Sequence, residues 1–351
     1  MSMLRDRDAP VTSEGIIMRV YGYDHPQGRY ICDVEYAPEK IYKSNVPKAL
    51  RDGGGQRYYK FYEDEGLKFV LSGYPQYSFY IPYLKRKVVA VSEDQLLELR
   101  RPQDGLKRLL SKDDQMSHAS LEVLELIEET SKLRIDDFGV FGSLLHNFYR
   151  IDLSDLDFTI YGTRELDELR SVLAELYNDG LLINEFDVVD ESRFLNWRFK
   201  RYSVKEYLEH QRRKLIYGLL NSKKLNRVVK FEFEPILRWD EVVNEYDKLV
   251  NVECLGFVEA IVRVVDDRYA PFMPSKYEIE VVEVRGSQLF RIEPIRIVSY
   301  VEEFRMQLTK DEHGLVAGWL EEVQTKSSTF QQIVLTRRER YYNQVLKRIK
   351  A

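Results

Sequence analysis

The sequence predicts an α+β chain in three consecutive parts. These are a small β-rich domain over residues 1–102, a central domain of mixed sheet with helices over 103–238, and a second small β-rich domain over 239–351. Three observations carry this. Short runs of alternating apolar and polar residues, broken by Pro and Gly, crowd both ends of the chain. Helical periodicities concentrate in the middle, and residues 137–161 read as strand, turn, helix and strand in close succession. With 351 residues, 44% of them hydrophobic, the chain has room for two or three domains and a substantial core.

In the first part, strands are expected at Ile16 to Tyr21, Tyr30 to Tyr36, Tyr58 to Tyr62, Leu67 to Leu71 and Lys87 to Val91. Gly53-Gly54-Gly55 lacks the Gly-x-x-x-x-Gly-Lys-Ser/Thr spacing of a P-loop and reads as a flexible turn. Pro102 to about Ser117 reads as a linker, after which Leu121, Leu124 and Ile127 mark an amphipathic helix. Thr163 is placed to cap a helix carrying Leu166, Leu169, Leu173 and Leu176, which Asp179-Gly180 ends. Ser203-Val204-Lys205-Glu206 is a capping box opening another helix that is expected to run to Leu219. Strands return at Phe257 to Val265, Tyr277 to Val284, Leu289 to Val298, Leu315 to Val323 and Phe330 to Leu335. Residues 14–20 and 259–264 share a pattern, which raises the reading that the outer domains are distant copies of one barrel, OB- or SH3-like.

Chemistry is expected between Gly142 and Asp157. The run Asp137 to Phe141 suits a buried strand, and Gly142-Ser143 turns it into a helix. Backbone N–H groups at a helix start lack intrahelical partners, and glycine admits a close approach, so Gly142 and Ser143 are candidates to hold the phosphates of a nucleotide. Asp155 and Asp157 lie two apart in a strand and so face one side, while Leu156, Phe158 and Ile160 face a core. Two adjacent like charges repel, and keeping both ionised calls for a hard cation such as Mg²⁺ or Mn²⁺.

Gly142-Ser143 followed by Ser154-Asp155-Leu156-Asp157 resembles the signature of the DNA polymerase β-type nucleotidyltransferase superfamily. The longer run from Gly142 to Gly162 is similar to a group of predicted archaeal nucleotidyltransferases, and the likeness extends to residues 14–26 and to 264–267, 274–277 and 297–300. Many small members carry an arginine and small residues after Gly-Ser, where this chain has Leu144, Leu145 and His146. The resemblance implies transfer of a nucleoside monophosphate from a nucleoside triphosphate, ATP among them, to a hydroxyl acceptor with release of pyrophosphate. Asp155 and Asp157 would bind the metals. It also implies a third carboxylate on a neighbouring strand. Arg227 to Leu237 alternates as a half-buried strand, which offers Glu232 as metal ligand or proton acceptor; Asp187, in the apolar segment 183–189, is the competing choice. The other class of function is a non-catalytic nucleic-acid or partner-binding protein that keeps the fold.

Basic clusters decide what else the chain is expected to meet. A net charge of −5 argues against nucleic-acid binding over the whole surface, so local patches must do any such work. Arg213 and Lys214, in Arg212-Arg213-Lys214, are candidates to neutralise a triphosphate or to grip RNA or another nucleic acid. Lys85-Arg86-Lys87 and Arg337-Arg338 with Arg340 are further patches, and Tyr58-Tyr59-Lys60-Phe61-Tyr62 reads as sheet with amphipathic tyrosines or as a base-stacking surface. No apolar run approaches the ~20 residues of a membrane span, and Met1 to Asp8 is too charged for a signal peptide, so a cytoplasmic protein is expected. Cys32 and Cys254 cannot form a disulfide framework, and five scattered histidines argue against structural zinc.

Overall fold

The computed structural model describes residues 4–53, 55–190, 197–285, 290, 292–335 and 341–349. It is mixed α+β, and the chain gathers into two compact units, residues 1–182 with 218–246 and residues 183–217 with 247–351. The units interleave along the sequence instead of following the expected blocks at 1–102, 103–238 and 239–351. The first β-rich block and most of the central block form one unit.

The first unit opens with β1 (Ala9–Thr12), β2 (Ile17–Val20), β3 (Tyr30–Pro38), β4 (Leu50–Gly53), β5 (Gln56–Lys60), β6 (Ser78–Ile81), β7 (Arg86–Val91) and β8 (Leu96–Arg100). Their order is β4-β5-β3-β2-β1-β8, with the β6–β7 hairpin joined to β3 through β7. The expected strand at Leu67 to Leu71 is instead helix α1 (Glu65–Gly73). Its apolar residues fit either period, and burial of Gly66 and Val70, four apart, selects the helix. A Cβ on Gly66 would stand 2.9 Å from Val34 Cβ, so α1 lies directly on β3.

The expected linker is also a helix, α2 (Pro102–Leu110). Pro102 stands within its first turn, where proline's missing N–H costs nothing. Leu106 and Leu109 are buried, and Gly105 comes so near Leu145 that a Cβ would meet its Cδ1 at 2.6 Å. After α3 (Gln115–Thr130), capped by Asp114, come β9 (Phe138–Val140), the five-residue α4 (Gly142–His146), β10 (Leu156–Tyr161) and α5 (Thr163–Asn178). The chain passes through β11 (Ile183–Asn184) and α6 (Val204–Lys214) of the second unit, then returns as β12 (Tyr217–Ser222) and β13 (Arg227–Ile236). In the first unit the sheet runs β12-β13-β10-β9, with β13 parallel and β9 antiparallel to β10. Phe158 and Phe233 stack at 5.1 Å beneath it, as the period-2 pattern requires.

The second unit is built on β14 (Leu249–Asp266), β15 (Ser275–Arg285), β16 (Pro294–Ser299), β17 (His313–Thr325), β18 (Thr329–Leu335) and β19 (Val345–Arg348). The order β14-β15-β16-β18-β17-β19, with β14 also pairing β17, closes a barrel over Val262, Tyr277, Ile297 and Ile333. Helix α6 has the expected box: Glu206 N donates to Ser203 Oγ at 3.1 Å, and Ser203 N to Glu206 Oε2 at 2.8 Å. It ends at Lys214, short of Leu219, because Leu215 turns left-handed at φ 52°.

The segments that share a sequence pattern do not share a place. Ile17–Val20 is a short strand between β1 and β3, whereas Glu259 to Val264 lies inside the 18-residue β14 between β15 and β17. Alternation common to strands accounts for the likeness. Among the described residues no helix is long and apolar enough to cross a membrane, and Cys32 and Cys254 are both free.

Candidate active site

The turn after β9 brings the two halves of the central motif together. Phe141 N donates to Asp157 O at 3.0 Å, which ties the end of β9 to β10. Gly142 then adopts φ +57°, and a Cβ there would lie 2.7 Å from Asp157 Oδ2. Glycine is therefore required twice, for the left-handed backbone and for the carboxylate standing against it. Ser143 follows, half-buried in the first turn of α4.

Register identifies the acid beside this pair. In the parallel β10–β13 ladder Asp157 stands opposite Glu232, and Thr159 opposite Glu234. Paired residues of adjacent strands share a face, so Glu232 belongs to the Asp157 face; Asp155 precedes the strand, and the charge of Lys230 reaches it. Asp187 does not compete for this position. It closes a single turn, Glu185–Asp187, and pairs with Arg212 inside the second unit.

Asp157 is pushed up to about 6, first by burial and then by Asp155, while Lys60, Lys230 and Arg7 pull it back. Burial also raises Asp155, against Lys230 and Arg227. Two carboxylates that resist ionising together offer hard oxygen donors where a divalent cation would relieve both the repulsion and the lost hydration. Among the described residues no three His, Cys, Asp or Glu side chains form a ready-made metal cage, so the arrangement is a carboxylate pair with Glu232 next to it in the sheet.

Arg213 and Lys214 are committed elsewhere. Arg213 Nη2 meets Glu312 Oε1 at 2.6 Å, and fully buried Lys214 donates to the carbonyls of Glu302 at 2.9 Å and Glu303 at 3.4 Å. Both ties lie inside the second unit, and they correct the expectation that these two side chains neutralise a triphosphate. Lys85, Arg86 and Lys87 are exposed at the β6–β7 hairpin, whereas Arg337, Arg338 and Arg340 lie outside the described residues.

Sequence reasoning missed the groups that surround the pair. Arg5, Asp6, Arg7 and Asp8, read only as a charged N-terminus, are all buried. Arg7 pairs with Glu234 at 2.8 Å and lies 4.6 Å over the Phe141 ring; Arg5 sits 4.2 Å over Tyr161 and 4.7 Å over Trp239. Burial pushes Asp8 up to about 7 and Asp6 to about 6, the latter against Arg7. Strict alternation of sign over four residues was the available signal.

His146 is buried on α4 between two charged partners. Arg100 Nη1 lies 3.2 Å from His146 Nδ1, and since arginine can only donate, Nδ1 accepts and the ring proton sits on Nε2, 3.5 Å from Glu35 Oε2. Burial lowers the histidine, so it stays neutral despite Glu35. Burial alone would raise Glu35, but His146, Arg19 and Lys60 hold it at about 2.

No family model matches the chain, and no solved structure matches it. A protein of Methanocaldococcus jannaschii, described as "Uncharacterized protein MJ1086", is 25% identical over 354 residues, which span 98% of each chain. The similarity thus extends far beyond residues 142–157.

Proposed function

We propose that the chain is a metal-dependent nucleotidyltransferase with a polymerase β-like core, moving a nucleoside monophosphate from a nucleoside triphosphate to a hydroxyl acceptor on RNA or another nucleic acid. The observation that carries this reading is the contact of Asp157 Oδ2 with the Gly142 turn, with Asp155 just before the same strand and Glu232 opposite Asp157 in register. A turn that excludes a side chain and a carboxylate pair at its mouth suit a phosphate chain and its counter-ion.

Asp155 and Asp157 would hold Mg²⁺ or Mn²⁺, with Glu232 beside them. When bound, the metal supplies neutralisation of the triphosphate and a lower pKa for the acceptor hydroxyl. Gly142 and Ser143 orient the phosphates through the main chain at the start of α4. The acceptor oxygen attacks the α-phosphorus, the bond from that phosphorus to the bridging oxygen breaks, and pyrophosphate leaves. Glu232 takes the hydroxyl proton.

The test is incubation of the protein with each α-³²P-labelled nucleoside triphosphate, Mg²⁺ or Mn²⁺, and total RNA from its source, beside the Asp155→Ala/Asp157→Ala variant. Label passing to RNA in wild type and not in the variant supports the reading. RNA binding that survives the double substitution, with no label transferred by either protein, favours a non-catalytic binding protein.

A further inference from the structure

The cations around Asp157 differ in what already holds them. Arg7 is locked to Glu234, Arg227 donates to the carbonyls of Ile151 and Ser154, and Lys230 has partners of its own. Lys60 differs: among the described residues its ammonium makes no hydrogen bond and no ion pair, and it lies 6.0 Å from the centre of the Tyr62 ring. It is half-buried at the end of β5. Glu35 and Asp157 act on it electrostatically without pairing with it, so its ammonium keeps its donors for an anionic ligand.

The fold directs this side chain towards α4. Lys60 pairs with Tyr36 across the antiparallel β3–β5 ladder, so the two share a face. Tyr36 packs edge-on against His146 and Phe148, each at 5.3 Å, and Tyr58, two residues before Lys60, packs on Phe148 at 4.9 Å. The hairpin is seated firmly, because a Cβ on Gly53 would strike Phe148 Cδ1 at 2.5 Å and the Asn147 carbonyl at 2.7 Å. Gly53, at the end of β4, is thus a point of close packing. Lys60 lies within electrostatic reach of both Asp157 and Glu35.

We infer that Lys60, carried by the β4–β5 hairpin, binds the β- and γ-phosphates of the donor nucleotide at the Asp155/Asp157 site. The inference rests on the nucleotidyltransferase reading above and names a residue for it that lies outside the central motif. A lysine suits the task, since its compact charge on a flexible stem can follow the terminal phosphates as pyrophosphate departs. The side chain binds and positions; it forms no bond to the reacting phosphorus.

Calorimetric titration of the full chain with ATP and with AMP, each with Mg²⁺, tests this for wild type, Lys60→Met and Lys60→Arg. Mn²⁺ binding followed by electron paramagnetic resonance without nucleotide reports on the carboxylate pair. Lys60→Met is expected to weaken ATP by about 10- to 50-fold, as loss of a charge-assisted contact does. AMP and Mn²⁺ should hardly change, and Lys60→Arg should recover most of the ATP affinity. ATP affinity unchanged in Lys60→Met, or AMP weakened as much as ATP, overturns the role of Lys60 and leaves the enzyme reading intact. No ATP binding by wild type overturns both. Should Lys60→Met fail to fold, Lys60→Gln replaces it under the same criteria.

Discussion

The N-terminal sheet and the C-terminal barrel are built from similar short alternating strands, but they employ their polar side chains differently. The barrel closes on itself, and several of its buried polar groups pair within the second unit. Tyr277 OH donates to Phe304 O at 2.7 Å and accepts from Gln307 N at 3.0 Å, Glu312 receives both Arg213 and Arg348, and Lys214 caps two carbonyls. The N-terminal sheet instead lends Glu35, Tyr36 and Lys60 to α4 and the Asp157 turn, and the segment before it lends Arg7. Closure decides the difference: a barrel that pairs its own edges turns polar groups into internal struts, whereas an open sheet packed on a neighbouring domain places them at that domain's site.

Removing the carboxylates should have the largest effect. If the first unit carries the chemistry, Asp155→Ala/Asp157→Ala should cut nucleotidyl transfer by about 10³-fold or more, the loss expected when metal-assisted charge stabilisation disappears, while the melting temperature holds or rises. Transfer retained by the variant would remove the basis for setting the two regions apart.

Next in size is Arg7→Leu, which removes a buried ion-pair partner of Glu234. Breaking a buried pair in this way costs about 3–5 kcal/mol, read as a lower midpoint in urea unfolding. A midpoint within experimental error of wild type would show that Arg7 is no anchor of the site. Lys214→Met sharpens the contrast from the other side. It removes the charged donor from the Glu302 and Glu303 carbonyls, which keep Arg305 N and Gln307 Nε2, so about 1–3 kcal/mol of stability should go while ATP affinity stays unchanged. Weakened ATP binding in a well-folded Lys214→Met protein would return that lysine to the site.

The smallest effect is a pH dependence. The folded value of Asp157, about 6, lies above its ordinary 3.8. Folding therefore favours the protonated carboxyl, and this contribution is complete below about pH 4 and lost as pH rises through 6. Without metal, Asp157→Asn should be the more stable protein at pH 8 by on the order of 1–2 kcal/mol, with no difference near pH 4. Added Mn²⁺ should reverse the order at pH 8, since wild type alone keeps both ligands. Thermal melts at the two pH values, with and without metal, check each sign.

Where local periodicity was decisive, the sequence was legible. The β10 and β13 strands, the Ser203 box and the leucine face of α5 follow from spacings of two to four residues. The Leu67 to Leu71 run and the Pro102 segment were misjudged because their apolar residues fit more than one state until β3 and α4 packed against them. Choosing between Glu232 and Asp187 needed strand register, which no single segment contains.

By itself the sequence determined that Asp157 lies in a strand beside a glycine turn with Leu156, Phe158 and Ile160 turned to the core, because side-chain direction follows from the backbone period over a few residues. Only the tertiary structure decided that Glu232 stands opposite Asp157, that Arg213 and Lys214 pair within the second unit, and that the charges of Arg7 and Lys60 reach Asp157. Register, desolvation and charge pairing depend on segments far apart in the chain, and their energies exist only once those segments meet.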